Sequence, residues 1–240
     1  MTWYDSNIIK IEDQAPNVKR FWLQIQSDEP FQFKAGQFVT MDLPISEKRL
    51  KRWRSYSIAN PPDETNILEF CISRFEGGAG TTFFFEEAKI GTPIKFKGPD
   101  GAFYLKEPIE KDLVFLCTGT GVVPFRSILQ DIQNRQIPHQ NIHLIFGTRQ
   151  EQDILYRTEF EQLTQTMPGF RYDIALSRQP EWQGYHGHIH QIYTSQYPAP
   201  PNPNLKFYLC GWSAMIDEAV AKLMVEIGYD RTQIIYELYG

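Results

Sequence analysis

The chain has 240 residues, with 24 Lys and Arg against 29 Asp and Glu, a formal charge of −5. At 42% hydrophobic and 22% charged its composition is that of a globular protein, which excludes wholesale disorder, and the length suits one large domain or two ordinary ones. A mildly acidic chain is a poor general ligand for nucleic acid, where affinity comes from neutralising phosphates, and the apolar run 113–117 falls far short of the ~20 residues of a bilayer helix. Neither nucleic-acid binding nor membrane insertion is expected.

The first 108 residues read as β structure. Stretches 18–25, 38–43, 67–72 and 93–97 are short and apolar, set between turns such as Gly36, Pro61-Pro62-Asp63 and Gly98-Pro99-Asp100-Gly101. In 18–25 the alternation puts Phe21, Leu23 and Ile25 on one side of a strand. Such spacing predicts a small antiparallel barrel. From Asp112 the pattern alternates: strands at 113–117, 141–146, 170–176, 207–210 and 234–236, and helices at 125–135, 154–166 and 214–227. Alternation of this kind means βαβ units and a parallel sheet. The expected division is 1–108 and 109–240, with the Pro-rich stretch 198–203 a connection inside the second part.

Cys71, Cys117 and Cys210 lie far apart and form no CxxC pair, so neither a zinc ribbon nor a Cys-ligated cluster can be built, and no metal site is expected. The odd count and the lack of a basic-then-apolar leader at the N-terminus point to a reducing, cytoplasmic setting.

Four motifs carry candidate chemistry. Arg54-Ser55-Tyr56-Ser57 follows the basic run Lys48-Arg49-Leu50-Lys51-Arg52. On a strand Arg54 and Tyr56 share a face, and a guanidinium clamps phosphate while a ring stacks on a planar group; an ordinary exposed strand is the competing reading. The loop Gly77-Gly78-Ala79-Gly80-Thr81-Thr82 offers close-approaching amides, with Thr81 or Thr82 placed to cap the helix that follows, or is a plain surface turn. In Thr118-Gly119-Thr120-Gly121-Val122-Val123-Pro124 the glycines allow a tight turn against a pyrophosphate, although Pro124 stands where a third glycine would complete the dinucleotide fingerprint. Cys210-Gly211 ends a later strand, where ligands of such sheets bind, or Cys210 is a small core residue.

The order of these motifs, together with Gly98-Pro99-Asp100-Gly101-Ala102-Phe103, Phe125-Arg126 and Glu237-Leu238-Tyr239, resembles the ferredoxin–NADP reductase superfamily over nearly the whole chain. The resemblance implies an N-terminal antiparallel FAD-binding β-barrel followed by a Rossmann-like pyridine-nucleotide domain. It places Arg54 on the FAD pyrophosphate, Tyr56 on the isoalloxazine and Ser57 near flavin N5, with the amides around Gly80, Thr81 and Thr82 on the pyrophosphate. Gly119, Thr120 and Gly121 would face the nicotinamide nucleotide, Cys210 the nicotinamide, Glu237 the same region, and Tyr239 the second flavin face. Tyr239 is followed by Gly240, unlike forms that end on the aromatic.

Ser177-Arg178-Gln179 matches the family's 2′-phosphate position, Arg149 adds charge, and position 188 is His where NADP-specific relatives often carry Arg or Tyr. NADPH is therefore favoured, with NADH open. The implied activity is hydride transfer from NAD(P)H to FAD and single-electron delivery to a ferredoxin- or flavodoxin-like carrier, for which the basic run 48–52 is a docking candidate. The alternatives are a free flavin reductase, the reductase component of a multicomponent oxygenase, or a non-catalytic FAD-binding subunit in which Trp3, Trp22, Trp53 or Trp212 serve as interface anchors.

Overall fold

The computed structural model describes residues 2–239; Gly240 lies outside them. In chain order the elements are β1 (Trp3–Ala15), β2 (Val18–Ile25), β3 (Phe38–Asp42), α1 (Arg49–Arg52), β4 (Trp53–Ser57), β5 (Ile67–Ser73), α2 (Ala79–Thr82), β6 (Pro93–Asp100), β7 (Asp112–Thr118), α3 (Val123–Arg135), β8 (Ile142–Thr148), α4 (Arg157–Thr166), β9 (Phe170–Leu176), β10 (Tyr185–His186), α5 (His190–Gln196), β11 (Leu205–Trp212), α6 (Ser213–Ala221) and β12 (Ile234–Tyr239).

The first compact unit runs to Leu105 and takes in Val123–Asn134. Its six strands pair antiparallel in the order β4-β3-β6-β1-β2-β5. Just beyond β4 the Ala59 amide donates to the Glu69 carbonyl on β5 at 2.8 Å, which draws the two outer strands of that order together and curls the sheet into a barrel. The alternation in β2 sends Phe21, Leu23 and Ile25 inward, where they meet Ile8, Val39, Met41, Leu68, Phe70 and Phe96. β1 was not expected from the sequence. Register shifts between Ile8 and Lys10 and between Asp13 and Ala15 break its two-residue period, so its apolar residues do not alternate.

The second unit comprises Lys106–Val122 and Arg135 onward. Its six strands are parallel, in the order β10-β9-β8-β7-β11-β12. The order reverses between β7 and β11, so loops leaving the carboxyl ends of these two strands diverge and leave a crevice. Its core joins Val114, Leu116, Phe207 and Leu209 to Met215, Ile216, Ala219 and Leu223 of the helical stretch that begins with α6. The expected helix at 154–166 starts only at Arg157. Tyr156 sits at φ +54°, a left-handed conformation that no helix interior tolerates, while Ile154, Leu155 and Tyr156 are buried. The chain passes from the second unit to the first for α3 and returns. This helix therefore stands apart from the division at residue 108.

Candidate functional site: two cradles, one in each unit

In the first unit β4 supplies the Arg54–Ser57 motif. The register pairs Met41 with both Arg54 and Phe96, and Asp42 with both Trp53 and Lys95. Alternation then puts Arg54 and Trp53 on opposite faces of the sheet. Tyr56 packs edge-on against Phe84, ring centroids 5.5 Å apart, and Ser57 is buried at the strand's end. Burial pushes the Tyr56 phenol upward and the Arg54 cation pulls it back, so the ring stays neutral.

The loop 77–82 comes to the same place. A Cβ added at Gly80 would lie 3.0 Å from Arg54 Cγ, 3.2 Å from the Tyr56 hydroxyl and 3.4 Å from Arg54 Nε. Only a residue without a side chain lets this backbone come so near. Thr81 does not cap α2, as the sequence suggested. It sits inside the helix, and its hydroxyl reaches back to the Gly78 and Phe75 carbonyls while accepting the Phe75 amide, which ties the turn shut. No side chain caps α2, so its first amides lack a side-chain acceptor as well as an intrahelical one. Arg54 spends Nη1 on the Lys51 and Trp53 carbonyls, at 3.0 and 2.7 Å. Its Nε and Nη2 donate to nothing among the described residues. A cation with two free donors beside a row of amides fits a pyrophosphate, and the neutral Tyr56 ring beside it fits a planar ring system.

On the opposite face the basic run forms α1. Arg49 and Lys97 lie over the Trp53 ring at 5.3 and 4.5 Å, Trp3 tilts against Trp53 at 5.8 Å, and Arg52 pairs with Asp42 at 2.7 Å. Trp3, Asp42, Arg49, Arg52 and Lys95 line an open depression of about 470 Å³, and Leu50 on α1 is 77% exposed.

The second unit gathers its motifs at the reversal point. β7 ends at Thr118, Gly119 turns the chain at φ +53°, and Gly121 touches the end of β11, where an added Cβ would lie 2.2 Å from the Cys210 carbonyl oxygen. Sequence reasoning missed Thr118. Its Oγ1 is buried without a hydrogen-bond partner, and a Cβ on Gly211 would lie 2.7 Å from it. An orphaned hydroxyl at a crevice between diverging strands fits a polar ligand group, and its place directly before Gly119 was the available signal.

Cys210 pairs in register with Cys117 on one side and Glu237 on the other. Burial pushes its thiol well up, Glu237 adds to this, and a hydrogen bond with the Tyr239 side chain opposes it, so the sulfur is a neutral thiol. Cys210, Glu237 and Tyr239 thus come together at the ends of β11 and β12. Arg149 and Ser177-Arg178 also meet: the Arg178 amide donates to the Arg149 carbonyl at 2.8 Å and the Ser177 amide to Thr148 at 3.1 Å, with both arginines exposed. Thr120 is half-buried in the turn. Among the described residues no group of His, Cys, Asp and Glu is arranged to hold a metal, and no helix is long and apolar enough to cross a membrane.

Residues 5–104 match the family model of the oxidoreductase FAD-binding domain, and residues 115–221 that of the oxidoreductase NAD-binding domain. The chain is 32% identical over 231 residues to the phenol hydroxylase P5 protein of Acinetobacter pittii, covering 95% of this chain but 63% of that one, so it spans less than two thirds of this relative. It is 30% identical over 241 residues to ferredoxin–NADP reductase B of Sorangium cellulosum, covering 98% of this chain and 97% of that one. Among solved structures, a cytochrome P450 reductase of Amycolatopsis superposes with a TM-score of 0.87 at 26% identity, covering 99% of this chain and 69% of the other. A barrel matching one model, a parallel sheet matching the other, and near-complete coverage of the Sorangium reductase make this chain a member of the ferredoxin–NADP reductase superfamily, with an FAD-binding and a pyridine-nucleotide-binding domain.

Proposed function

We propose that the chain oxidises NAD(P)H with FAD and hands the electrons to a separate acceptor, residues 1–108 binding the flavin and 109–240 the nucleotide. The observation that carries this reading is the convergence of Arg54, Tyr56 and Gly80 in one cradle. When bound, FAD would take a hydride from the nicotinamide and release electrons one at a time. The chain's own part is to bind and orient. Arg54 holds phosphate with Nε and Nη2, the amides of Gly80, Thr81 and Thr82 neutralise the same charge, and Tyr56 supports the flavin ring. Ser57 offers its hydroxyl to the ring edge. Gly119, Thr120 and Gly121 admit the nucleotide backbone, Thr118 donates or accepts at the crevice, and Cys210 presents an uncharged surface to the nicotinamide. Burial, with Glu237 adding to it, keeps that thiol protonated, and Tyr239 holds it by a hydrogen bond.

NADPH is favoured over NADH because Arg149 and Arg178, joined through their backbones and both exposed, form a cationic corner with Ser177 that suits a phosphate monoester. For the acceptor we favour an acidic ferredoxin- or flavodoxin-like carrier that docks on the cations around α1. A reductase component of an oxygenase is the second reading, favoured by the likeness to the phenol hydroxylase P5 protein. The site of action in either case is the cytoplasm.

Anaerobic titration with NADPH and NADH, following the visible flavin band, tests the core of the proposal. Stoichiometric bleaching is expected, and a preparation that retains no flavin or is not bleached refutes it. Reduction of ferredoxin should then fall steeply with added salt while reduction of free FMN does not.

A further inference from the structure

Arg126 stands in the stretch Pro124-Phe125-Arg126 of the glycine-turn motif and has no part in either cradle. It lies on α3 and is 6% exposed. Its Nη1 donates to the Ala59 carbonyl at 2.9 Å and to Glu69 Oε2 at 3.1 Å, while Arg20 Nε holds Glu69 Oε1 at 2.7 Å. Glu69 is itself only 4% exposed. The next helix residue, Ser127, donates its hydroxyl to the Asn60 carbonyl at 2.7 Å.

These bonds fall on one short segment. β4 ends at Ser57, after which pairing with β3 stops. From there the chain is held by Ile58 to the Gln37 carbonyl, Ala59 to the Glu69 carbonyl, and the Asn60 side chain, which accepts the Glu69 amide and donates to Ile67. Arg126 and Ser127 add donors to the carbonyls of Ala59 and Asn60. Burying a charged pair gives little net stability for the desolvation it costs, so stability alone is a weak account of this pair. We propose that Arg126, with Glu69 and Ser127, is a positioning residue that fixes the exit of β4 and so the placement of Ser57 against bound flavin. This rests on the flavin-binding reading above. Both acceptors are served by the two hydrogens of one planar nitrogen, Nη1, a fixed in-plane geometry that the rotating ammonium of a lysine on its different stem does not reproduce.

The test uses the full chain loaded with FAD. Arg126→Lys, Glu69→Gln and Ser57→Ala are compared singly, and Arg126→Lys is combined with Ser57→Ala. The readouts are FAD affinity, the visible circular dichroism of the bound flavin, and single-turnover flavin reduction. Arg126→Lys and Glu69→Gln should keep FAD affinity within about threefold of wild type yet change the dichroic band and slow reduction about tenfold to a hundredfold, the loss expected of a small misplacement. In the Ser57→Ala background, Arg126→Lys should slow reduction by less than about twofold further, since the two act through one group. A wild-type band and rate in both Arg126→Lys and Glu69→Gln overturn the inference, as does a full multiplicative loss in the double variant. Should Arg126→Lys not fold, Glu69→Gln and Ser127→Ala carry the same comparison. Absence of flavin from the wild-type chain would instead overturn the flavin-binding reading itself, so the two failures are distinguishable.

Discussion

Gly121→Ala is the sharpest perturbation available, because the three nearest atoms in its way are all main chain. The new methyl carbon would lie 2.2 Å from the Cys210 oxygen, 2.6 Å from its carbonyl carbon and 2.7 Å from Gly211 Cα. Real side-chain carbons essentially never come within 3.0 Å, so the oxygen must retreat by about 0.8 Å. It cannot do so freely, because β11 is paired to β7 on one side and β12 on the other. Overpacking in such a setting costs typically about 1–3 kcal/mol, and the rigid blockers put this site at the upper end. For a chain of this size about 3 kcal/mol lowers Tm by roughly 6–12 °C. Gly119→Ala is the control. Nothing lies within 4 Å of its Cβ and only its φ of +53° is strained, at about 1–2 kcal/mol, or roughly 2–8 °C. Differential scanning calorimetry of the two variants, with nucleotide affinity measured alongside, should rank Gly121→Ala as the worse in both. A Gly121→Ala chain that melts with wild type, or less damage there than at Gly119, would refute the steric reasoning.

Arg54→Ala should weaken FAD retention by about tenfold or more, the worth of one charge-assisted hydrogen bond, as read by flavin released on ultrafiltration; unaltered retention removes the phosphate role. Arg178→Ala should raise the NADPH KM and leave NADH nearly untouched, and equal losses with both would remove the 2′-phosphate assignment. Asp173 is held below the usual carboxylate range chiefly by its hydrogen bond from His143, helped by Gln196 and Arg171, with burial opposing. The unfolded chain then binds the proton more readily, so this contribution is complete above the unfolded value of about 3.9 and is lost as pH falls through the folded one. Asp173→Asn should accordingly lower the urea midpoint more at pH 7 than at pH 3, and an equal loss at both would count against the pairing.

Strand β2 was legible because Phe21, Leu23 and Ile25 keep a clean alternation, and β7 because 113–117 is apolar throughout. β1 was hidden by two irregularities that scramble its period, and the start of α4 by a left-handed Tyr156 that no pattern of apolar residues reveals. Within the candidate site, Arg54, Tyr56 and Gly80 were each visible, but their convergence depends on a loop folding back across some two dozen positions. Thr118 escaped notice because a threonine at a strand end is ordinary until its hydroxyl proves to have no partner. Arg126 was read only as a letter in a motif. A charge on a helix is usually solvated, and nothing local says that its counter-ion waits on β5, 57 positions earlier.

The excursion of α3 makes the barrel discontinuous along the gene. A fragment stopped at residue 108 would keep all six barrel strands but lack the helix whose Phe125 packs on Phe103, and would leave the Ala59 and Asn60 carbonyls without their Arg126 and Ser127 donors. A ribosome must therefore release some 134 residues, and expose the first strand of the parallel sheet, before the barrel can close its last hydrogen bonds. Chimaeras that exchange flavin modules between such reductases will need their crossover after this helix, with β7 carried along, rather than in the segment before β7.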